Sequence, residues 1–318
     1  MLRKLLAAAA SGLAIASFLT GCFPIHQQAY YVSPFNGNSE GYHTQPLHTD
    51  SVHTAVFTRA NFFHGAANDN STDHFSGANA SIYLAQHQGI LQWYYGLDAS
   101  LGSYRLGTWD SGYSGTFFVS RTLPPGHAQM LDAYSGPKTF GGVGFSGGIN
   151  GVIPMGQGEW RFLGIETALH QEFGDYLHLR RKIPDTLVTY IVRQPFFGTL
   201  GLTSEWVIRT YHGDFGFRIA GGWTLGSAYN NLNIYDNLDG QHLSYGYSSF
   251  SAHYTYDRWT FWYQGESSKK GSSSQVGFIW RLGNPRAPAK KHLEHRQPPP
   301  HPPHPGLPSW MPHHPGAD

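Results

Sequence analysis

Apolar and polar residues alternate with period two along most of the chain, and that alternation locates the strands before any motif is considered. In 90–104, Leu91, Trp93, Tyr95, Leu97, Ala99 and Leu101 share one face while Gln92, Tyr94, Gly96, Asp98, Ser100 and Gly102 share the other. Successive side chains of a pleated strand point to opposite sides, so this is a strand with one apolar and one polar face. Residues 199–211 repeat the pattern, with Leu200, Leu202, Trp206 and Ile208 against Thr199, Thr203, Glu205 and Arg209. So do 215–225, where Phe215, Phe217, Ile219, Trp223 and Leu225 oppose Gly216, Arg218, Ala220, Gly222 and Thr224. The same template predicts ten strands, near 52–64, 75–87, 90–105, 139–154, 159–174, 197–211, 214–227, 242–256, 258–267 and 273–282. The phase of 242–256 is open, because Tyr245 and Tyr247 oppose Phe250, Ala252 and Tyr254.

The connections alternate in length. Long or polar ones fall at 65–74, 106–138, 175–196, 228–241 and 268–272, and short ones centre on Gln88-Gly89, Met155 to Gly158, His212-Gly213 and Asp257. A membrane barrel sorts its connections in this way, with short turns on the periplasmic side and long loops outside. The predicted fold is therefore all-β, an antiparallel up-and-down transmembrane barrel of about ten strands over 52–283, with both barrel ends on the short-turn side. Residues 115–121 (GTFFVSR) read either as a loop hairpin or as one more strand. The competing reading, a lipid-tethered soluble periplasmic β-sandwich that binds a ligand, would have to bury Trp206, Trp223 and Trp280 in a core.

Composition favours the barrel. Charged residues make up 13% of the chain, against about 25% in soluble domains. The formal net charge of +1 leaves no basic footprint for nucleic acid, so no nucleic-acid partner is expected. Nineteen tyrosines and nine tryptophans suit aromatic girdles at membrane interfaces.

Arg3 and Lys4 precede an apolar run from Leu5 to Leu19 that is too short to span a bilayer, which is the pattern of a signal peptide over 1–21. The run ends in Leu19-Thr20-Gly21-Cys22, which resembles the lipobox of bacterial lipoproteins. That resemblance implies cleavage before Cys22 and acylation of its thiol and new amino group, palmitate included. Buried acyl chains contribute about 0.8 kcal/mol per methylene, enough for two or more to anchor the chain stably. Cys22 is the only cysteine, so no disulfide forms within this sequence. Residues 22–51 read as a lipid-anchored linker carrying a short plug or cap. Residues 284–318 form a tail in which 11 of 35 residues are proline, a composition that does not fold alone.

The lipobox, the segment Tyr31-Val32-Ser33-Pro34-Phe35-Asn36-Gly37-Asn38 and the last strand, Val276-Gly277-Phe278-Ile279-Trp280-Arg281-Leu282, together resemble uncharacterised outer-membrane β-barrel lipoproteins of the Bacteroidota. The resemblance covers roughly 20–283 and implies a location, the outer membrane, without an established activity. The last strand also looks like the aromatic-rich signal that such barrels present for assembly. Surface-exported lipoproteins of these bacteria often carry acidic residues just after the cysteine, whereas this chain has Phe23-Pro24-Ile25-His26-Gln27-Gln28. A lipid anchor and a tail that both face the periplasm are therefore expected.

With the apolar faces on lipid, the opposite faces supply lumenal Arg59, Asn61, Asp98, Glu166, His170, Glu172, Glu205, Arg209, Arg218 and Arg281. Small barrels are filled by side chains, and charges buried there need partners. A structural ion-pair network is the first reading, with Glu166, His170 or Glu172 facing Arg209 or Arg218 across neighbouring strands. The second takes Glu166, His170 and Glu172 as an acid–base group of a hydrolase or part of a metal site, reached from outside through the loop 175–196. No Gly-x-Ser-x-Gly or His-Glu-x-x-His motif accompanies them. In the tail, His292, His295, His301, His304, His313 and His314 are metal-binding candidates, while Lys290, Lys291 and Arg296 beside polyproline suit peptidoglycan or a periplasmic protein. Loop 106–138, with Tyr113, Phe117 and Phe118, is the expected outside contact surface. The expected function is non-enzymatic, an envelope structural or interaction role with a largely plugged lumen or a narrow pore. No cofactor is expected beyond the covalent lipid on Cys22, with outer-membrane lipid as its partner.

Overall fold

A computed structural model describes residues 29–34, 41–50, 52–68, 73–108, 125–188, 190–226, 229–230, 245–268 and 271–283. Cys22, the expected signal peptide over 1–21, Tyr113, Phe117, Phe118, the segment 115–121 and the histidine-rich tail lie outside them. Ten strands close one antiparallel barrel: β2 (Thr54–Ala67), β3 (His74–Gln88), β4 (Leu91–Leu106), β5 (Gly136–Met155), β6 (Gly158–Phe173), β8 (Phe196–Thr210), β9 (Gly213–Leu225), β11 (Tyr245–Tyr256), β12 (Trp259–Ser268) and β13 (Gly271–Leu282). The pairing of β13 with β2 closes it, Leu282 opposite Val56 and Gly271 opposite Ala67. A single closed sheet replaces the two sheets of the sandwich reading.

The strands are amphipathic, and β4, β8 and β9 are so in the sense their sequences predict. On β4, Leu91, Tyr95, Leu97 and Leu101 point outward, and Gln92, Tyr94, Asp98 and Ser100 point inward. All ten strands put large apolar side chains on the outside, among them Phe62, Leu97 and Leu101 with exposures of 69%, 62% and 66%. From Leu91 to Leu101 the apolar row runs about 33 Å along the strand, or about 25 Å along the axis at a tilt near 40°, the height of a lipid-facing band. Near the turn end, Trp160 stacks on Trp206 and Trp259 on Trp280, each pair at 5.8 Å and each on the outer face. The open phase of 242–256 resolves with Tyr247, Ser251 and His253 inward and Phe250 and Tyr254 outward.

The path of the chain before β2 is the feature that strand periodicity does not contain. β1 (Tyr30–Tyr31) pairs in parallel with β7 (Tyr190–Ile191), and β7 pairs with β10 (Tyr229–Asn230). Both partners belong to the long connections, so residues 29–34 sit at the long-loop end. Residues 41–50 then descend through the lumen and emerge at the turn end, where β2 begins. The expectation that the chain ahead of the barrel lies on the turn side is thus corrected. Barrel closure leaves Thr54 at that end, but the preceding segment doubles back through the interior.

At the long-loop end, Phe63, Phe75, Tyr104 and Phe140 from the barrel wall meet Ala29, Tyr31, Tyr176, Leu179, Ile183 and Ile191 in one buried cluster. The last four come from the connection that contains the helix α1 (Asp175–Lys182). Glycines opposite aromatic rings make room for it. A Cβ on Gly102 would lie 2.4 Å from both the Phe140 ring and the Ser76 carbonyl oxygen. Gly102→Val is therefore expected to cost about 1–3 kcal/mol or more, since backbone must move. Its check is the urea midpoint of the folded-to-unfolded gel shift, and an unchanged midpoint would show the ring to be easily displaced.

Candidate functional site

The lumen is filled by irregular backbone held by wall side chains. Irregular backbone buried inside a barrel persists only where its polar groups find partners, and here the wall supplies them. The Arg59 guanidinium donates to the Gly41 carbonyl at 2.6 Å, Tyr83 to that of Thr44 at 3.2 Å and Gln92 to that of Pro46 at 3.0 Å. The His48 N–H donates to Glu159 at 2.8 Å, and Asn150 donates to the Gln45 side chain at 3.2 Å. Asp50 accepts from Arg209 at 2.5 Å and from the Leu47 N–H at 3.0 Å, which ties the end of the segment to β8 and closes its turn. Proline at 46 has no N–H to satisfy, which suits a position surrounded by wall side chains.

The centre of the network is Arg161. Its Nε donates to Glu159 at 2.9 Å and its Nη1 to Glu205 at 2.7 Å. Glu205 accepts further from the Tyr42 hydroxyl at 2.8 Å and faces His253 Nε2 at the same distance, while the Tyr42 and His253 rings stack at 4.3 Å. One carboxylate thus joins β6, β8, β11 and the threaded segment. Arg59 forms a second centre, donating to Asp98 at 2.8 Å, while Asp98 also accepts from Ser146 at 2.6 Å. Toward the long-loop end Glu266 accepts from Gln264, Ser273 and Gln275. Among the described residues, two cavities beside the threaded segment measure about 30 Å³ and 10 Å³, the size of one or two waters.

Every lumenal residue expected from the sequence faces inward. Arg218 pairs with Glu166 across the wall, as one of the anticipated pairings requires. Arg209 goes instead to Asp50 and, at 3.3 Å, to Asp214, and Arg281 is buried at the turn end. Glu166, His170 and Glu172 do share a strand face, yet the structure directs them apart. Glu166 turns to Arg218, the His170 ring stacks on Phe197 at 5.2 Å, and Glu172 pairs with Arg180 of α1. Glu172 and Arg180 are 1% and 0% exposed. The expectation of a rim open to the outside is corrected at Glu172, where α1 packs against the rim and its Arg180 takes the carboxylate. Tyr176 of α1 stacks on Tyr104 at 4.0 Å, and burial raises its pKa above the ordinary tyrosine value.

Glu159 and Arg161 were not among the expected lumenal groups, and a bulge explains why. The register of β6 shifts on both sides around Phe162-Leu163, which both face outward. A bulge reverses the phase of alternation, so Glu159 and Arg161 reach the lumen from odd positions and Glu166 from an even one. Two adjacent apolar residues in an alternating run were the available signal. His253 was hidden by the ambiguous phase of its strand, and Tyr42 and His43 by lying in a segment without period.

No family model and no curated protein matches the chain. Among solved structures it is similar to the translocator domain of the autotransporter NalP from Neisseria meningitidis, with 11% identity, coverage of 74% of this chain and 91% of that one, and a TM-score of 0.37. An outer membrane channel from Pseudomonas putida F1 is similar over 76% of this chain and all of its own, with 8% identity and a TM-score of 0.36. The outer membrane protease OmpT from Escherichia coli is similar over 75% of this chain and 97% of its own, with 8% identity and a TM-score of 0.27. No residue role carries over at these similarities.

Proposed function

We propose that this chain is a sealed outer-membrane lipoprotein barrel whose work is structural or adhesive, done through its loops and tail rather than by transport through the lumen. The observation that carries the reading is an apolar outer belt on all ten strands around a lumen occupied by the chain's own residues 41–50. Soluble monomers rarely expose contiguous apolar patches beyond a few hundred Å², and a belt of this height suits lipid. In the orientation usual for such barrels, the short turns face the periplasm and the long connections face outward.

Acylated Cys22 supplies a second, separate anchor. β13 delivers the chain to the turn end at Leu282, so the proline- and histidine-rich tail is proposed to meet peptidoglycan or a periplasmic protein there. A hydrolase using Glu166, His170 and Glu172 gains no support, because Arg218, Phe197 and Arg180 already engage them.

The test is a Cys22→Ser variant carrying a cleavable signal. It is expected to resist a sodium carbonate wash of membranes and to migrate differently on gels with and without boiling. Recovery as a soluble, folded monomer would refute the membrane barrel.

A further inference from the structure

The direction of the thread determines where the amino terminus is held. Ala29 O accepts from Tyr190 N at 3.2 Å and Tyr31 O from Val192 N at 3.0 Å, which fixes residues 29–31 to the long-loop end. Ala29 and Tyr31 are buried there with Phe63, Phe75 and Phe140. Residues 41–50 occupy the lumen between that end and the turns. The chain therefore enters at the loops, passes down the interior and leaves at the turns to begin β2.

Covalent length bounds the position of Cys22, seven residues before Ala29. Seven extended residues reach at most about 25 Å. A 16-residue strand such as β6 rises roughly 40 Å along the axis at the usual tilt. The reach is too short to return to the turn side, and the lumen is already filled. A route back outside the barrel would run bare backbone through hydrocarbon, where each unsatisfied group costs several kcal/mol.

We infer that the amino terminus is threaded through the barrel and held on the long-loop side, so that acyl chains on Cys22 enter the leaflet beside the loops and not the one beside the turns. The inference rests on the acylated, membrane-spanning barrel proposed above. It makes the lipid a surface anchor and replaces the periplasm-facing anchor expected from the residues after Cys22.

The experiment labels intact cells with a membrane-impermeant maleimide, then repeats the labelling after permeabilising the outer membrane. Three full-length variants are compared: Gln27→Cys near the terminus, Met130→Cys on the exposed surface of the loop side, and Gln157→Cys in the exposed β5–β6 turn. A short epitope inserted after Gln27 and read with an antibody is the second reporter. Gln27→Cys is expected to label in intact cells as fully as Met130→Cys, while Gln157→Cys loses its label unless cells are permeabilised. If Gln27→Cys and the epitope instead follow Gln157→Cys, the threading inference is overturned. Met130→Cys and Gln157→Cys that fail to differ, or that exchange behaviour, overturn the proposed membrane orientation, while Gln27→Cys still reports threading by the partner it follows. The parent chain is expected to stay unlabelled, and a label on Cys22 itself would remove the lipid from the reading.

Discussion

A variant with residues 41–50 exchanged for a glycine–serine segment and residues 175–194 for a short linker is expected to conduct ions in planar bilayers, while neither exchange alone opens the barrel. The reason is that two seals lie in series. The first is polar and lies toward the turns, where residues 41–50 fill the space between Arg59, Tyr83, Gln92, Arg161 and Glu205. The second is apolar and lies at the loops, where Tyr176, Leu179, Ile183 and Ile191 cover Phe63, Phe75, Tyr104 and Phe140.

The doubly exchanged barrel should still fold. A hydrogen bond contributes about 0.5–1.5 kcal/mol net, and ordering each backbone residue costs about 1–2 kcal/mol. The bonds of the threaded segment therefore do little more than offset its own ordering, and the wall keeps its own ladders. Once water enters, Glu172 and Glu205 regain hydration in place of Arg180 and Tyr42. With both seals gone, conductance should exceed the parent's leak by about tenfold or more, with weak ion selectivity because the wall carries both signs of charge. Conduction from the 41–50 exchange alone would show that the aromatic cluster does not seal. Silence from the double exchange would mean that wall side chains such as Arg161 and Arg218 close the lumen unaided.

Much of this architecture is legible in the sequence because a barrel wall writes its two environments into adjacent positions. β4 is the plain case, with Leu97 on the outer face and Asp98 on the lumen, and its faces are readable from the alternation alone. The same rule located Arg59, Asp98, Glu205 and Arg218. It fails wherever a residue's environment is not set by pleat. The Phe162-Leu163 bulge moved Arg161 and Glu159 off the phase that identifies Glu166. Residues 41–47 have no period because each is buried among wall side chains whichever way it points, so Tyr42 looks like any polar loop residue until its hydroxyl is seen against Glu205. Arg180 lies outside the alternating strands, in a loop helix that folds back over Glu172. Periodicity describes the wall, and what fills the wall must be found by chain path and charge partnership.

Arg161 tests how dry that filling is. Its guanidinium stands between the carboxylates of Glu159 and Glu205, and the side chains of the three are 2%, 2% and 6% exposed. Arg161→Met removes the charge while keeping much of the stem's volume, and leaves two buried carboxylates without their shared cation. Breaking a buried ion pair by removing one partner costs about 3–5 kcal/mol, because the remaining charge stays desolvated. A loss of that size is expected in the urea midpoint of the gel-mobility transition. The triple variant Arg161→Met, Glu159→Gln, Glu205→Gln should recover most of it, since replacing a buried ionic group by neutral side chains of similar volume is often close to neutral. Recovery has a structural condition: the amides introduced by Glu205→Gln and Glu159→Gln must still accept from the Tyr42 hydroxyl and the His48 N–H, which an amide oxygen can do. A loss from Arg161→Met below about 1 kcal/mol would mean that water reaches the carboxylates and screens them as at a protein surface. The threaded segment would then be a loose occupant of a wet lumen. A full loss with rescue would instead identify Arg161 as the residue that fixes the thread to the wall through Glu205 and Tyr42, the contacts that hold the amino terminus in its path.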